Sequence, residues 1–344
     1  MSKLIVVIGA TGGQGSGVAR AFLQDSEFRV RGLTRNPNSH QARKLAAEGI
    51  EMVEANIDNE HSLERAFQDA HAIFAFTDYY QHFFQNGKEY AMQKEFAQGV
   101  NIARAAAKIP TLKSYVFSTL PYTSLLTQGQ AIVPHFEGKG KASAYIQENL
   151  PDLYQKTTFC IFTIFAENMI LYPIFKPIWV ESAKKYIQLW PTPPSTPYLS
   201  IGDHRINSGV FVRAIVKNPP PNPGTYVRCN VEDLTLDSML ALWGRASGIS
   251  PTPDSTAAVE ISQEQYVQLW GAMGEEQGSQ WKFFKFVRDL GIDKIPGVTM
   301  LEGLDLLNEE ERTKLVTTEQ ALKSIDWKAS GYVASIQASK LGNL

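Results

Sequence analysis

The chain has 344 residues, of which 44% are hydrophobic, and its formal net charge is −2. This length can bury a large core and favours two substructures. The balanced charge, without a run of Lys or Arg, argues against a nucleic-acid or acidic-membrane partner. No apolar run has bilayer length and no signal peptide precedes the first apolar segment, which predicts a cytoplasmic protein. Cys160 and Cys229 lie far apart in apolar segments, so we expect buried thiols and no metal site.

The most informative segment is an apolar run, residues 4–8, that breaks into a glycine-rich turn. Its aliphatic residues do not alternate with polar ones, which is typical of a strand buried on both faces of a parallel sheet. Glycines then recur three apart, a spacing that allows a sharp turn, a close backbone approach to a pyrophosphate, and a helix packed against the sheet. A purely steric glycine turn is the alternative interpretation. The segment predicts nucleotide binding by Gly9, Thr11, Gly12, Gly13, Gln14 and Gly15.

The residues after the second predicted strand indicate which nucleotide is bound. A carboxylate there would bind the ribose 2′-hydroxyl of NAD, whereas an arginine can bind the 2′-phosphate of NADP. This chain has Arg35 and Asn36 there, and no acidic residue lies between Gly32 and Ser39. The sequence therefore predicts NADP(H), with a solvated surface arginine as the alternative interpretation.

The order of strand and helix patterns predicts an α/β fold, a doubly wound parallel sheet of the Rossmann type. We expect an NADP-binding domain over residues 1–165 and a smaller, interleaved α+β substrate domain over residues 166–344. Segments near 200–231 are expected to rejoin the Rossmann core, and residues 260–293 to be helical. Strands are expected near 4–8, 28–33, 51–53, 72–76, 114–118 and 158–165.

Loops at the carboxyl ends of the strands of such a sheet converge on one crevice. Thr77 follows the fourth predicted strand, and Ser118 lies at the end of the fifth. Phe165 and Asn168 lie at the end of the sixth predicted strand and just beyond it. We expect Thr77, Phe165 and Asn168 to contact the cofactor, and Ser118 to contact substrate or nicotinamide or to cap its strand.

Short-chain dehydrogenases have a Tyr-x-x-x-Lys pair one helical turn apart, which places both side chains on one helix face. The equivalent segment here keeps Lys139 but has His135 in place of the tyrosine. We expect Lys139 to contact the cofactor, with Gly138 and Gly140 allowing its close approach. His135 is a candidate proton donor, or else a surface histidine at a helix start.

Two tyrosines could supply the missing hydroxyl. Tyr80 follows the fourth predicted strand and Tyr122 follows the fifth. Tyrosines in such positions are more often packing aromatics than acids. Tyr80 joins Lys139, His135 and Ser118 as the predicted catalytic set.

Three motifs in this order, GATGGQG, TRNP and HFEGKGK, resemble the NmrA-like family of atypical short-chain dehydrogenases, which is related to the isoflavone reductase group. The resemblance extends over essentially the whole chain. It implies a Rossmann fold that binds NADP(H). Members of that family include NADP(H)-dependent reductases and also redox-sensing or transcription-regulating proteins that bind the nucleotide without known turnover.

We therefore expect an NADPH-dependent reductase of a small apolar carbonyl or enone, such as a secondary metabolite. Two alternatives remain open. One is an NADP(H)-binding redox sensor that presents a surface to a protein partner. The other is a non-redox isomerase or cyclase that retains the cofactor fold. The oligomeric state does not follow from the sequence.

Overall fold

The computed structural model describes residues 2–252, 254–290 and 299–327. The described strands, in chain order, are β1 Lys3–Val7, β2 Phe28–Thr34, β3 Glu51–Glu54, β4 Ala72–Ala75, β5 Ser114–Thr119, β6 Thr157–Phe162, β7 Ile164–Phe165, β8 Ile178–Val180, β9 Lys185–Trp190, β10 Pro197–Gly202, β11 Tyr226–Cys229, β12 Glu232–Thr235, β13 Thr256–Glu260 and β14 Met300–Glu302.

The described helices alternate with these strands through the first half of the chain. In order they are α1 Gly13–Leu23, α2 His40–Ala47, α3 Glu60–Ala66, α4 Tyr79–Asn86, α5 Lys88–Ala107, α6 Thr123–Leu126, α7 Pro134–Asn149, α8 Pro151–Tyr154, α9 Asn168–Leu171, α10 His204–Lys217, α11 Leu236–Ser247, α12 Gln263–Leu290, α13 Glu309–Thr313 and α14 Thr318–Lys323. None of them is both long and apolar enough to cross a membrane.

The chain divides into two compact units. Within the described residues, unit 1 comprises 2–162, 204–229 and 299–315, and unit 2 comprises the remainder. Unit 1 contains an eight-stranded sheet in the order β14-β11-β6-β5-β4-β1-β2-β3, in which every neighbouring pair is parallel. The predicted doubly wound parallel sheet is thus confirmed.

The strand order of unit 1 reverses between β1 and β4, which lie side by side although β2 and β3 separate them in sequence. Ligands of open α/β sheets bind where the strand order reverses, at the carboxyl ends of the strands. In this sheet that point lies between the glycine turn after β1 and Phe76–Thr77 after β4. The topology therefore places the predicted nucleotide loop at the expected crevice.

Helices α1 and α10 pack together in unit 1 with their backbones in close approach. A Cβ added at Gly17 would lie 2.3 Å from the carbonyl oxygen of Arg205, and one at Gly209 would lie 2.3 Å from that of Gly17. Only glycine fits either position, because both obstacles are backbone atoms. The pairing fixes α1 on its sheet, and with it the turn that precedes α1.

Unit 2 contains two three-stranded sheets, β12-β10-β7 and β13-β9-β8, and a core rich in indole rings. Trp190, Trp243 and Trp281 are each at most 1% exposed. The centroids of the Trp190 and Trp281 rings lie 4.8 Å apart with the planes at 73°, the edge-to-face arrangement that aromatic pairs favour. These three tryptophans therefore belong to the hydrophobic core of unit 2.

Two predicted elements differ from the structure. The sixth strand, expected over 158–165, breaks at Thr163: β6 pairs with β5 and β11, whereas β7 pairs with β10 in the other sheet. The helix expected over 260–293 is observed as α12 and is interrupted at Gly271, whose φ of 56° and ψ of −134° are not helical. Residues 291–293 lie outside the described residues. Cys160 and Cys229 are buried free thiols, as predicted.

Candidate functional site

The glycine turn connects β1 to α1 through a tight backbone bend. Gly9 has a φ of +59°, which L side chains rarely adopt, and its carbonyl oxygen accepts a 2.9 Å hydrogen bond from the Gly12 amide. A Cβ at Gly15 would lie 2.3 Å from that same oxygen. Helix α1 thus begins directly on the turn. The glycines permit the sharp bend and the close helix packing that their spacing predicted.

Gly12 differs from its neighbours because a side chain would fit its backbone. Its φ of −89° and ψ of 178° suit any residue, and an added Cβ would meet only the Gly9 oxygen at 3.3 Å and Phe76 Cζ at 4.0 Å. The N-cap residue of α1 is Gly12, so within the described residues no N-cap side chain accepts a hydrogen bond from the first amides of the helix. A helix N-terminus without a side-chain cap attracts a pyrophosphate, and the missing side chain at Gly12 lets a phosphate approach the backbone.

His204, the first residue of α10, was missed by the sequence analysis. It is 5% exposed, and a Cβ added at Gly13 would lie 2.1 Å from its Nε2 atom. The imidazole therefore lies against the first residue of α1, and Gly13 is required to accommodate it. No local motif marks His204, because its position depends on α10 packing against α1.

Arg35 and Asn36 follow β2 at the carboxyl edge of the sheet, and both are exposed. The Asn36 side-chain oxygen accepts a 3.0 Å hydrogen bond from the backbone amide of Asn38. The backbone amide of Asn36 donates to Thr34 Oγ1 at 3.3 Å. This Asx turn shapes the loop that presents Arg35. The guanidinium has the exposure that a 2′-phosphate contact would need.

A hydrogen bond links the glycine turn to the end of β5. Ser118 Oγ donates to Gln14 Oε1 over 3.1 Å, and Ser118 is 4% exposed. The next residue, Thr119, contacts α7: its hydroxyl lies 2.7 Å from Ser143 Oγ and donates to the Lys139 carbonyl at 3.3 Å. Three predicted site residues, Gln14, Ser118 and Lys139, are therefore brought together within unit 1.

Lys139 forms a buried ion pair that the sequence analysis did not identify. Its ammonium donates to Oε1 of Glu95 on α5, and the two side chains are 11% and 0% exposed. The same Oε1 accepts a 2.9 Å hydrogen bond from Thr77 Oγ1, and Thr77 is itself 3% exposed. The structure thus joins two predicted cofactor residues, Thr77 and Lys139, through a carboxylate between them.

Glu95 could have been found from its place on an amphipathic helix. Ala91, Gly99, Ile102 and Ala103 recur at helical spacing and are all buried, and Glu95 falls on the same face. A carboxylate on an apolar face needs a partner. Its partner lies 44 residues further along the chain, which explains why no short motif contains both.

The glycines on either side of Lys139 allow close packing, and their effect on the approach of a cofactor stays a prediction. A Cβ at Gly138 would lie 2.8 Å from Glu95 Oε2 and 3.0 Å from the Met92 carbonyl oxygen. One at Gly140 would lie 2.5 Å from the Cα of Tyr122. Gly138 therefore admits α5 and its carboxylate, and Gly140 admits the loop after β5.

Glu137 anchors the same loop from α7. It is 3% exposed and accepts hydrogen bonds from the Thr123 hydroxyl at 2.7 Å, the Ser124 amide at 2.9 Å and the Ser124 hydroxyl at 2.6 Å. Charge-assisted bonds of this kind are about twice as strong as neutral ones. The segment carrying Tyr122 is thus fixed to the helix that carries Lys139.

His135 lies at the start of α7, where it is 6% exposed and packs among aromatic rings. Its ring centroid lies 5.6 Å from that of Tyr80, 5.9 Å from that of Tyr79 and 4.7 Å from that of Phe136. The alternative interpretation, a surface histidine, is therefore wrong. The two candidate proton donors, His135 and Tyr80, are neighbours.

The remaining predicted cofactor residues belong to both units. Thr11 lies in the glycine turn and is half-buried. Phe165 and Asn168 belong to unit 2, where Phe165 ends β7 and Asn168 begins α9. Their contact with a cofactor stays a prediction. The part of the chain that the structure describes contains no group of three His, Cys, Asp or Glu residues arranged to hold a metal ion.

Comparison with known proteins gives the family. The chain is 29% identical to the NmrA-like family domain-containing oxidoreductase hkm9 of Aspergillus hancockii, over 72% of this chain and 73% of that relative. It is 27% identical to the oxidoreductase ptmS of Penicillium ochrochloron, over 82% and 86% of the two chains.

Solved structures show the same fold. The negative transcriptional regulator Nmra superposes with a TM-score of 0.72 at 18% identity, over 97% of this chain and 98% of that one. The leucoanthocyanidin reductase–NADPH complex from Vitis vinifera superposes with a TM-score of 0.65 at 14% identity, over 93% and 98%. The NmrA-like family model matches residues 1–299, and the chain belongs to that family.

Proposed function

We propose that this protein binds NADP(H) and uses it to reduce a small apolar carbonyl compound or enone. The glycine turn carries the proposal, because it combines a sharp bend at Gly9 with a first turn of α1 whose N-cap residue, Gly12, has no side chain to accept from the helical amides. Two further observations support it: relatives in Aspergillus and Penicillium are named oxidoreductases, and the structures of Nmra and leucoanthocyanidin reductase contain NADP and NADPH respectively.

The residues of unit 1 take the following roles in this proposal. Arg35 binds the 2′-phosphate and the turn at Gly12 binds the pyrophosphate. Lys139 binds the nicotinamide ribose hydroxyls and stabilises the negative charge that develops on the substrate oxygen. When bound, the cofactor supplies the hydride. His135 or Tyr80 donates the proton, since their rings are neighbours and either group can act as a general acid.

Arg35→Ala tests the nucleotide assignment. Loss of a charged hydrogen bond costs about 1.5–3 kcal/mol, so the Kd for NADPH should rise about tenfold or more while that for NADH changes little. Arg29→Ala is the matched control, because Arg29 is exposed near the opposite end of the same strand, β2. Calorimetric titration measures both nucleotides. Equal losses for NADPH and NADH would contradict the assignment.

A regulator that binds NADP(H) without turnover is the second candidate function. The observation that favours it is His135 in the position of the usual tyrosine, buried among aromatic rings. A panel of lipophilic carbonyls and enones, with NADPH oxidation followed by absorbance, separates the two functions. Oxidation dependent on Lys139 supports the reductase. Tight NADPH binding without oxidation of any compound, together with nucleotide-dependent capture of a protein partner, supports the regulator.

A further inference from the structure

We infer that Glu95 is the positioning residue for Lys139, and that the carboxylate directs the ammonium to the nicotinamide end of the cofactor. The inference rests on the proposed NADP(H) function. It concerns a residue on α5 that no sequence motif of the site contains. Its support comes from the burial, the hydrogen bonds and the packing of the Glu95 side chain.

Burial makes the pair necessary for both partners. Glu95 is fully buried and the Lys139 side chain is 11% exposed. A charge in such surroundings is strongly destabilised unless an opposite charge or hydrogen bonds compensate it. Each residue supplies the opposite charge that the other needs, so removing one partner leaves the charge of the other uncompensated.

The geometry leaves most of the ammonium available. A lysine ammonium has three N–H donors, and Glu95 Oε1 accepts one of them. The Lys139 side chain is 11% exposed, so part of it remains accessible. Glu95 therefore fixes the direction of the flexible lysine side chain without occupying all of its donors. A lysine held in this way loses less conformational entropy when it binds ribose hydroxyls.

Two neighbours hold the carboxylate itself in place. Thr77, directly after β4, donates its hydroxyl to Oε1 at 2.9 Å. Gly138, next to Lys139, leaves the space that Oε2 occupies, since a Cβ there would lie 2.8 Å from this oxygen. Oε2 has no hydrogen-bond partner within the described part of the chain. A buried oxygen in that condition destabilises the fold, so packing alone does not explain a carboxylate at this position, whereas a role that depends on its charge does.

A double-mutant cycle on nucleotide affinity tests the inference. The variants are Glu95→Gln, Lys139→Met and their combination, with NADPH affinity measured by fluorescence titration. Glutamine keeps the shape and the acceptor for Thr77 but removes the charge. We expect Glu95→Gln to raise the Kd about tenfold when Lys139 is present and less than twofold in the Lys139→Met protein, because Glu95 acts through the lysine.

Glu311→Gln is the matched control. Glu311 is a 6% exposed carboxylate that binds Arg213 on α10, and its replacement should leave the Kd for NADPH unchanged. Thermal unfolding of each variant without nucleotide verifies the fold. It also gives a second cycle, in which the losses from Glu95→Gln and Lys139→Met should not add, because the two side chains touch.

The outcomes separate the inference from the proposed function. An equal rise in Kd in both lysine backgrounds would overturn the inference, since Glu95 would then act only as scaffold. NADPH affinity that does not respond to Glu95→Gln, or to Lys139→Met, would overturn it as well while leaving nucleotide binding intact. A wild-type protein that binds neither NADPH nor NADH would overturn the proposed function, and the inference with it.

Discussion

Replacing Gly12 with alanine separates nucleotide binding from folding. The backbone of Gly12 already has φ and ψ values that alanine adopts, and the added Cβ meets only the Gly9 oxygen at 3.3 Å and Phe76 Cζ at 4.0 Å. Reduced freedom of the unfolded chain stabilises such a variant by about 0.4–1 kcal/mol, which offsets the tight contact. The free energy of unfolding should therefore stay within about 1 kcal/mol of the wild-type value.

The same methyl group lies in the space that we assign to the pyrophosphate, so the Kd for NADPH should rise sharply. At a nucleotide concentration of about 100 times the wild-type Kd, binding stabilises the wild-type protein by about 2.7 kcal/mol. A 100-fold rise in Kd reduces this gain to about 0.4 kcal/mol. The assay is thermal unfolding with and without NADPH, in which the ligand-induced rise in Tm should nearly vanish.

Two other glycines serve as controls for this variant. Gly15→Ala places its Cβ 2.3 Å from the Gly9 oxygen, so it should destabilise the fold itself by about 1–3 kcal/mol. Gly248 ends α11 in unit 2 with a φ of +70° and open space around it. Gly248→Ala should cost about 1 kcal/mol and keep the full gain from NADPH. A normal NADPH-induced rise in Tm in the Gly12→Ala protein would refute the assignment of this turn.

Two further predictions concern the proton donor and stability in acid. His135→Phe should lower kcat/KM by about 100-fold or more if the imidazole donates the proton, whereas a silent His135→Phe with an impaired Tyr80→Phe would move that role to the tyrosine. Asp25 is buried, and its pKa lies below the ordinary value of 3.8. Burial raises the pKa, but hydrogen bonds from Lys217, the Glu27 amide and Arg213 lower it by more. Its stabilisation is therefore complete above that ordinary value and is lost as the pH falls through the lower folded value. Urea unfolding should show Asp25→Asn to be about 1–3 kcal/mol less stable at neutral pH, with a gap that closes in acid; a gap independent of pH would contradict the pairing.

Local patterns predicted the nucleotide half of the fold well, because its determinants lie close together in sequence. The apolar run of β1, the turn and the start of α1 lie within about a dozen residues, and the positive φ of Gly9 and the contact of Gly15 with the Gly9 oxygen arise within that segment. The Arg35 loop is similarly local. Such features depend on backbone sterics, which a sequence displays directly.

Elements whose existence depends on distant partners could not be predicted in this way. β14 is three residues long and exists because Met300–Glu302 pairs with β11, some 70 residues earlier. The break between β6 and β7 at Thr163 likewise follows from two different sets of neighbours. A run of residues with strand propensity does not reveal which sheet each part will join.

The packing of α5 against α7 likewise brings together residues of the site that are distant in sequence. Lys139 was recognised from its motif, but Glu95 was not, and the packing contacts of Gly138 and Gly140 were not predicted. The partner of Lys139 and the need for glycine at position 138 follow from the contact between α5 and α7, whereas Gly140 meets Tyr122 in the loop after β5. A motif predicts which residue types a site needs, whereas the partners of those residues depend on tertiary structure.

The ion pair also bears on why one fold can serve both oxidoreductases and a regulator. Glu95 balances the charge of Lys139, so on the proposed function the attraction of the nucleotide phosphates falls to Arg35 and the first turn of α1. Those groups lie after β2 and β1, whereas the candidate proton donors lie after β4 and at the start of α7. On the proposed function, nucleotide choice and proton transfer therefore rest on different residues. On that proposal, a substitution at position 135 changes the group that donates the proton and leaves the residues that bind the nucleotide in place.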